Sequence, residues 1–161
     1  MTRPRGIWVI ALSIAVAIWL SIVPMPAWAA WARPEWVALV LIYWVIALPH
    51  RVGILSAWAT GLLLDVVEGV TLGQNALSLS VVAYVGLVLY QRMRMYAGWQ
   101  QAGIVFVLIG VHQLVNYWVQ TLTHAQVVPS LLFLLPALVS ALLWPTVMVL
   151  LRYCRRRFQV Y

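Results

Sequence analysis

Residues 34–48 read PEWVALVLIYWVIAL, and the topology of the chain depends on whether this segment crosses a membrane. As a helix the segment would measure about 22 Å at 1.5 Å per residue, which is less than a hydrocarbon core of about 30 Å. Two interpretations follow. The segment could be re-entrant, or it could span the membrane where neighbouring helices and flanking tryptophans let the bilayer thin.

The positions of the arginines decide between these interpretations, because cytoplasmic loops carry an excess of positive charge. With six spans, only Arg33 lies on the outer side, two residues from Glu35, with which we expect it to pair. The cytoplasmic arginines would then be Arg3, Arg5, Arg51, Arg92, Arg94, Arg152, Arg155, Arg156 and Arg157. If the segment were re-entrant, the arginines that follow it would lie on the opposite side of the membrane from Arg3 and Arg5. The sequence therefore predicts six spans with both termini in the cytoplasm.

The composition fits this topology, since 65% of the residues are hydrophobic and 8% are charged. Soluble domains have about a quarter of their residues charged. We predict one all-helical membrane domain over residues 1–161, with Asn75 and Ser130 as N-caps of its fourth and sixth spans. The predicted spans are 7–23, 34–48, 52–67, 76–90, 101–122 and 131–151. The arginines lie at the ends of apolar runs, which argues against nucleic acid as a partner.

Tryptophans are expected at both membrane interfaces, where their amphipathic rings are favoured. The predicted outer group is Trp19, Trp28, Trp31, Trp36 and Trp118, and the inner group is Trp8, Trp44 and Trp99. The connector from Trp28 to Trp36 contains more tryptophans than one boundary requires. We therefore take Trp28, Trp31 and Trp36 as a candidate partner surface.

Two acids in the third apolar run are unusual, because an acid within a span is costly. Gly61, Asp65 and Glu68 stand at i, i+4 and i+7 and share one helix face. A glycine on that face would let another backbone approach closely. If Asp65 is an internal strut, replacement by Ala should be harmful and replacement by Asn nearly silent.

A stripe in the fifth run offers polar partners for these acids. It consists of His112, Asn116 and Gln120, extended by His124 in the following loop. We infer a polar seam, or a pocket open to the periplasm, between spans 3 and 5. Its groups could hydrogen-bond helix to helix, face a partner or ligand, or form a proton or ion path.

Motifs typical of enzymes are missing from the sequence. It contains neither the HExxH pattern of zinc proteases nor a GxSxG elbow, and Cys154 is the only cysteine. We therefore predict no catalytic residue, no metal and no cofactor. Arginines at the ends of spans can instead fix topology or bind anionic lipid headgroups. These are Arg51, Arg92, Arg94, Arg152, Arg155, Arg156 and Arg157.

Several stretches together resemble one protein family. They are Arg33-Pro34-Glu35-Trp36, the segment from Tyr43 to Val52, Gly61 to Asp65 with Gly69 and Leu72-Gly73, and the end from Leu143-Trp144-Pro145 to Phe158. In order and spacing they resemble the rod shape-determining MreD family, in its proteobacterial form. The family pattern fixes the positions of Asp65 and Gly69. The inference that Glu68 and the stripe containing His112 belong to a polar seam does not come from the family pattern and rests on the physical argument alone.

The resemblance implies a non-enzymatic component of the machinery that builds lateral cell-wall peptidoglycan. It implies the bitopic protein MreC as the closest partner, with MreB, RodA and a class B penicillin-binding protein in the same assembly. It also implies an inner-membrane location, contact with membrane lipids, and a fold similar to the membrane subunits of vitamin transporters. The alternative function is a small-solute transporter, or a transporter subunit, with a polar pocket at Asp65.

Overall fold

The computed structural model of the chain describes residues 6–123 and 130–161. Within these two ranges the chain forms six α-helices, two short 3-10 helices and no β-strand. The α-helices are α1 (Ile7–Ile22), α2 (Trp36–Ala47), α3 (Ile54–Glu68), α4 (Gln74–Met95), α5 (Gly98–Leu122) and α6 (Leu135–Arg157). The 3-10 helices are Ala30–Ala32 and Leu131–Leu134. Arg3, Arg5 and His124, which entered the sequence predictions, lie outside the described residues.

Four helical segments are long and apolar enough to cross a membrane, namely Ala30–Ala47, Gln74–Met95, Gly98–Leu122 and Leu131–Arg157. Helix α1 is a shorter apolar helix of 16 residues, and α3 has 15 residues and carries two acids. These features confirm an all-helical protein suited to a membrane. A crossing by all six helices, the side on which the termini lie, and one domain over the whole chain stay predictions.

The two ends of the helix bundle differ in charge. The ends of α2, α4 and α6 and the start of α5 meet around one cavity, so the arginines that follow or close these helices are gathered there. This arginine end contains Arg51, Arg92, Arg94, Arg152, Arg155, Arg156 and Arg157. The other end, here called the acidic end, contains the chain's three acids, Glu35, Asp65 and Glu68.

Helix α2 lies at the centre of the bundle. Every residue from Val37 to Ala47 is buried, and the helix contacts α1, α4, α5 and α6. A helix that is apolar on all faces is expected to be surrounded by other helices. Its shortness is tolerated for the same reason, since backbone near its ends is covered by protein rather than lipid.

The central position of α2 corrects one prediction about tryptophan. Trp44 was expected at the inner membrane interface, but its side chain is 0% exposed, and its Nε1 donates a hydrogen bond of 2.8 Å to Ser13 Oγ. A tryptophan on a helix surrounded by protein cannot reach the interface. Trp28, Trp31 and Trp99, by contrast, are exposed.

The prediction that Ser130 is an N-cap is confirmed, and the segment that it caps is a short 3-10 helix before α6. The Ser130 side chain accepts a hydrogen bond of 3.2 Å from the N–H of Leu132 and so caps the 3-10 helix Leu131–Leu134. This short helix continues directly into α6. Pro136 lies in the first turn of α6, where a missing N–H costs nothing, and Pro145 lies inside the helix.

The topology of α2 can be tested with single cysteines in a Cys154→Ser background. Ala30 and His50 flank α2 and are both exposed, so cysteines there should react freely. We expect a membrane-impermeant maleimide to label Ala30→Cys and His50→Cys from opposite sides of the membrane. The native Cys154, at the arginine end, should label from the same side as His50→Cys. Labelling of both flanks from one side would show that α2 does not cross.

Candidate functional site

The corner between α3 and α4 is built around Asp65. Helix α3 ends in Gly69, whose φ of 66° is left-handed, and α4 is preceded by Gly73, whose φ is 96°. Glycine adopts such angles without steric cost. The carbonyl oxygen of Asp65 accepts hydrogen bonds from the N–H groups of Gly69 and Val70, which closes the end of α3.

The side chain of Asp65 closes the beginning of α4. Its Oδ2 accepts a 2.8 Å hydrogen bond from Gly73 N, and its Oδ1 accepts one of 2.8 Å from Asn75 N. Ala76 N lies 3.5 Å from Oδ2. The first N–H groups of a helix have no partner within the helix, and a carboxylate is favoured there by the helix dipole. Asp65, which is 0% exposed, therefore caps α4 from a neighbouring helix.

This capping corrects the predicted role of Asn75. We expected Asn75 to be the N-cap of a span that begins at residue 76, but α4 begins two residues earlier, at Gln74, and Gly73 is the N-cap residue. Gly73 has no side chain to accept a bond, so the acceptor comes from α3 instead. The side chain of Asn75 is thereby free to bond to other helices.

Gly61 allows α3 and α4 to come close enough for this arrangement. A Cβ atom at Gly61 would lie 2.5 Å from Ala76 N and 2.6 Å from Asn75 O, so no side chain fits between the two backbones. Real Cβ atoms do not approach other atoms so closely. The predicted close approach at this face therefore exists, and the helix that approaches is α4.

A chain of polar side chains continues from this corner across the acidic end. Asn75 Nδ2 donates to Glu68 Oε2 at 3.1 Å, and Asn75 Oδ1 accepts from Asn116 Nδ2 at 3.2 Å. Asn116 Nδ2 also lies 3.4 Å from His112 Nε2. Glu68 on α3 and Asn116 on α5 are thus joined through Asn75 on α4.

Glu35 extends the polar chain to the start of α2. Its carboxylate lies 3.5 Å from His112 Nε2 and accepts a short hydrogen bond from Gln113 Nε2. Its backbone N–H donates to Ser140 Oγ on α6 at 2.9 Å. Sequence reasoning placed Glu35 in the outer connector and missed Gln113 and Ser140. The available signal was that Glu35 is one of only three acids in the chain.

The predicted seam between spans 3 and 5 is therefore changed in one respect. The first turn of α4 stands between α3 and α5, and Asn75 bridges them. The structure brings together Gly61, Asp65, Glu68, His112 and Asn116 at the acidic end. Gln120 is not joined to them, since its side chain makes no hydrogen bond within residues 6–123 and 130–161.

The connector before α2 presents its tryptophans unequally. Trp28 is 85% exposed and Trp31 is 63% exposed, whereas Trp36 is half-buried at the start of α2. The expected pairing of Arg33 with Glu35 is wrong. Arg33 Nη2 donates to the carbonyl oxygen of Val23 at 3.3 Å, and Glu35 turns towards α5.

At the arginine end, Arg94 closes the C-terminus of α2. Its Nε donates to the carbonyl oxygen of Ile46 at 2.9 Å, and its Nη2 donates to that of Ala47 at 2.8 Å. The last carbonyl groups of a helix lack intrahelical partners and carry partial negative charge, which a guanidinium satisfies. Arg94 therefore stabilises the C-terminus of α2, in addition to any effect on membrane topology.

Most polar groups at the acidic end satisfy one another, and the exceptions are His112 Nδ1 and Asn116 Oδ1, which are buried without a hydrogen-bond partner among the described residues. Among the described residues, no cluster of three or more His, Cys, Asp or Glu side chains is placed to hold a metal ion. Buried donors and acceptors that pair in this way tie helices together and select one arrangement of the bundle. The geometry supports a structural role for the seam.

Comparison with known proteins gives a consistent result. The family model described as rod shape-determining protein MreD matches residues 2–154. The rod shape-determining protein MreD of Haemophilus influenzae (strain Rd) is 33% identical over 155 residues, which cover 96% of this chain and 95% of that protein. No solved structure matches the chain.

The capping role of Asp65 predicts a graded response to substitution. Asp65→Ala leaves the buried N–H groups of Gly73 and Asn75 without acceptors, and we expect a loss of about 1–3 kcal/mol in unfolding free energy. Asp65→Asn should be intermediate rather than silent, because both carboxylate oxygens accept hydrogen bonds and an amide has one acceptor oxygen. Thermal unfolding of the purified variants in detergent measures the order. Equal stability of Asp65→Asn and wild type would contradict this geometry.

Gly61 and Gly103 form a matched pair for testing the close approach. Gly61→Ala forces α3 and α4 apart and should lower the melting temperature and the amount of protein in the membrane. Gly103→Ala on α5 meets nothing within 4 Å and should be neutral or stabilising by about 0.5–1 kcal/mol. A similar response of both variants would mean that the α3–α4 contact is looser than described.

Proposed function

This chain belongs to the MreD family of rod shape-determining proteins, and we propose that it acts as a non-enzymatic scaffold of the cell-wall elongation machinery. Family membership supports a role in determining rod shape. The proposal adds that the protein binds MreC within and beside the inner membrane and thereby helps to maintain lateral peptidoglycan synthesis. MreB, RodA and a class B penicillin-binding protein are proposed as members of the same assembly.

One observation carries the proposal, which is that most polar side chains of the acidic end are engaged in hydrogen bonds between helices. Asp65 is fully buried and holds backbone N–H groups, and Glu35 joins α2 to α5 and α6. Residues committed to holding helices together are not available to a substrate. Contacts with other proteins must then use the outer surface of the bundle and its connectors.

The connector from Trp28 to Trp36 is the proposed contact surface for MreC. Exposed tryptophans supply large apolar area at low entropic cost and are enriched at the centres of protein interfaces. Trp28 and Trp31 lie at the acidic end, before α2, and Trp36 begins α2 itself. A bitopic partner could therefore contact this connector beside the membrane while its own helix lies against the bundle.

The proposed orientation follows the charge asymmetry of the bundle. The arginine end faces the cytoplasm by the positive-inside rule, and the acidic end with the tryptophan connector faces the periplasm. The arrangement of the six helices is further proposed to be like that of vitamin-transporter membrane subunits. That likeness rests on the family resemblance.

The alternative function, small-solute transport through a pocket at Asp65, is not favoured by the contacts at this residue. A ligand would have to displace two hydrogen bonds of 2.8 Å that cap α4. Solute uptake by the protein in liposomes, compared with empty liposomes, tests this alternative directly. Uptake that Asp65→Asn abolishes without loss of folded protein would revive it.

The tryptophan surface can be tested by co-purification with tagged MreC. We expect Trp28→Ala/Trp31→Ala to reduce MreC capture at least about tenfold, as for loss of central aromatic contacts, and to produce rounded cells while membrane abundance is unchanged. Trp99→Ala is a matched control, because Trp99 is 75% exposed but lies in the first turn of α5, at the arginine end. Unchanged capture by the double variant, or an equal loss with Trp99→Ala, would exclude this surface.

A further inference from the structure

We propose that the arginine end of the bundle contains a binding site for a phosphate-bearing anion, in a cavity between α2, α4, α5 and α6. The cavity has a volume of about 450 Å³. Ligand sites in proteins commonly have volumes of about 300–1,000 Å³. It is lined by four arginines, Arg94, Arg152, Arg155 and Arg156.

The charge of the cavity has no counterpart among the side chains of this protein. Its lining contains no Asp or Glu, and all three acids of the chain lie at the acidic end. The only contact within 4.0 Å between an acidic and a basic side chain in the described ranges joins Glu35 and His112. Four guanidinium groups gathered without an acidic side chain repel one another, and an anion bound among them would relieve that repulsion.

Tyr43 supplies an independent observation that points to a ligand. Its side chain is 5% exposed and lines the cavity, yet its hydroxyl is buried and has no hydrogen-bond partner among the described residues. A buried hydroxyl without a partner is costly in an apolar protein interior. A phosphate oxygen in the cavity would accept the hydrogen bond that the Tyr43 hydroxyl does not make to any described residue.

The walls of the cavity are held in place by other contacts. Arg94 is oriented by its bonds to the carbonyl groups of Ile46 and Ala47. Gln101 donates to the carbonyl groups of Met93 and Tyr96 and accepts from Trp144 Nε1 at 3.2 Å. The part of the lining formed by Arg94 and Gln101 is therefore ordered before a ligand binds, which lowers the entropic cost of binding there.

The chemistry of the lining indicates the class of ligand. Guanidinium groups bind phosphate oxygens in bidentate pairs, and Arg is preferred over Lys for such recognition. A phosphate ion consists of one phosphorus and four oxygen atoms, and a water molecule, with one oxygen, takes about 30 Å³, so a cavity of about 450 Å³ has room for more than inorganic phosphate. A phosphate ester therefore fits best, either the headgroup of an anionic phospholipid or a soluble phosphate compound.

The proposal can be tested with purified full-length protein in neutral detergent. In one arm, native mass spectrometry measures the binding of phosphatidylglycerol and, for comparison, phosphatidylcholine. In the other arm, calorimetry measures the binding of inorganic pyrophosphate and of glycerol 3-phosphate. Saturable binding of phosphatidylglycerol alone identifies the lipid as the source of the phosphate, and binding of a soluble compound identifies the second source.

Two pairs of variants distinguish the cavity from general surface charge. Arg152→Gln/Arg155→Gln removes two arginines of the lining, and we expect affinity to fall at least about tenfold. Arg92→Gln/Arg157→Gln removes two exposed arginines at the same end that do not line the cavity, and should leave affinity nearly unchanged. Equal losses with both pairs, or no saturable binding in either arm, would overturn the proposal.

Tyr43→Phe keeps the proposal testable if the arginine variants fail to fold. This change removes one buried oxygen and should not lower the melting temperature, because the hydroxyl has no partner within the described chain. We expect it to weaken binding about tenfold, as for loss of a hydrogen bond to a charged group. Unchanged binding by Tyr43→Phe would remove the hydroxyl from the site and overturn the proposed geometry.

Discussion

A buried helix start in apolar surroundings needs an acceptor for its free N–H groups, and in this protein Asp65 provides it for α4. Its carboxylate accepts bonds from Gly73 and Asn75 at the beginning of α4, and its carbonyl oxygen accepts bonds at the end of α3. Both halves of the corner therefore depend on one residue. The contact requires Gly61, since any Cβ there would meet the backbone of α4. The position of α4 in turn fixes one wall around the central helix α2.

At the arginine end of the bundle, the end of a helix needs hydrogen-bond donors for its last carbonyl groups, and a cation supplies them. The last carbonyl groups of α2 are covered by Arg94, which arrives from the end of α4. An acid at a helix start and an arginine at a helix end both match the helix dipole. These two contacts join α4 to α3 at one end and to α2 at the other. The Arg94 contact satisfies the last carbonyl groups of α2, which helps so short a helix to lie at the centre of the bundle.

The two ends of the bundle differ in how far their polar and charged side chains are engaged in contacts within the protein, and this difference connects the fold to function. At the acidic end, most polar side chains hold helices together, and the tryptophan connector presents exposed apolar surface. At the arginine end, by contrast, arginines gather around a cavity whose lining contains no acidic side chain. A scaffold that binds proteins at one end and a phosphate-bearing anion at the other would be consistent with both surfaces. The two proposals rest on different residues, so each can fail without the other.

Features that depend on neighbouring residues in the chain could be predicted from the sequence alone. The apolar runs, the gathering of arginines, the importance of Asp65 and the cap at Ser130 all follow from local length, charge and residue type. The partners of polar groups were decided by the tertiary structure. Glu35 hydrogen-bonds to Gln113 and Ser140, which are 78 and 105 positions away in the chain. Asn75 is not the N-cap of α4, because the side chain of Asp65 caps this helix instead. Trp44 does not lie at the membrane interface, because α2 is surrounded by the other helices of the bundle. Periodicity shows which face of a helix is apolar, but only packing decides which helix covers that face.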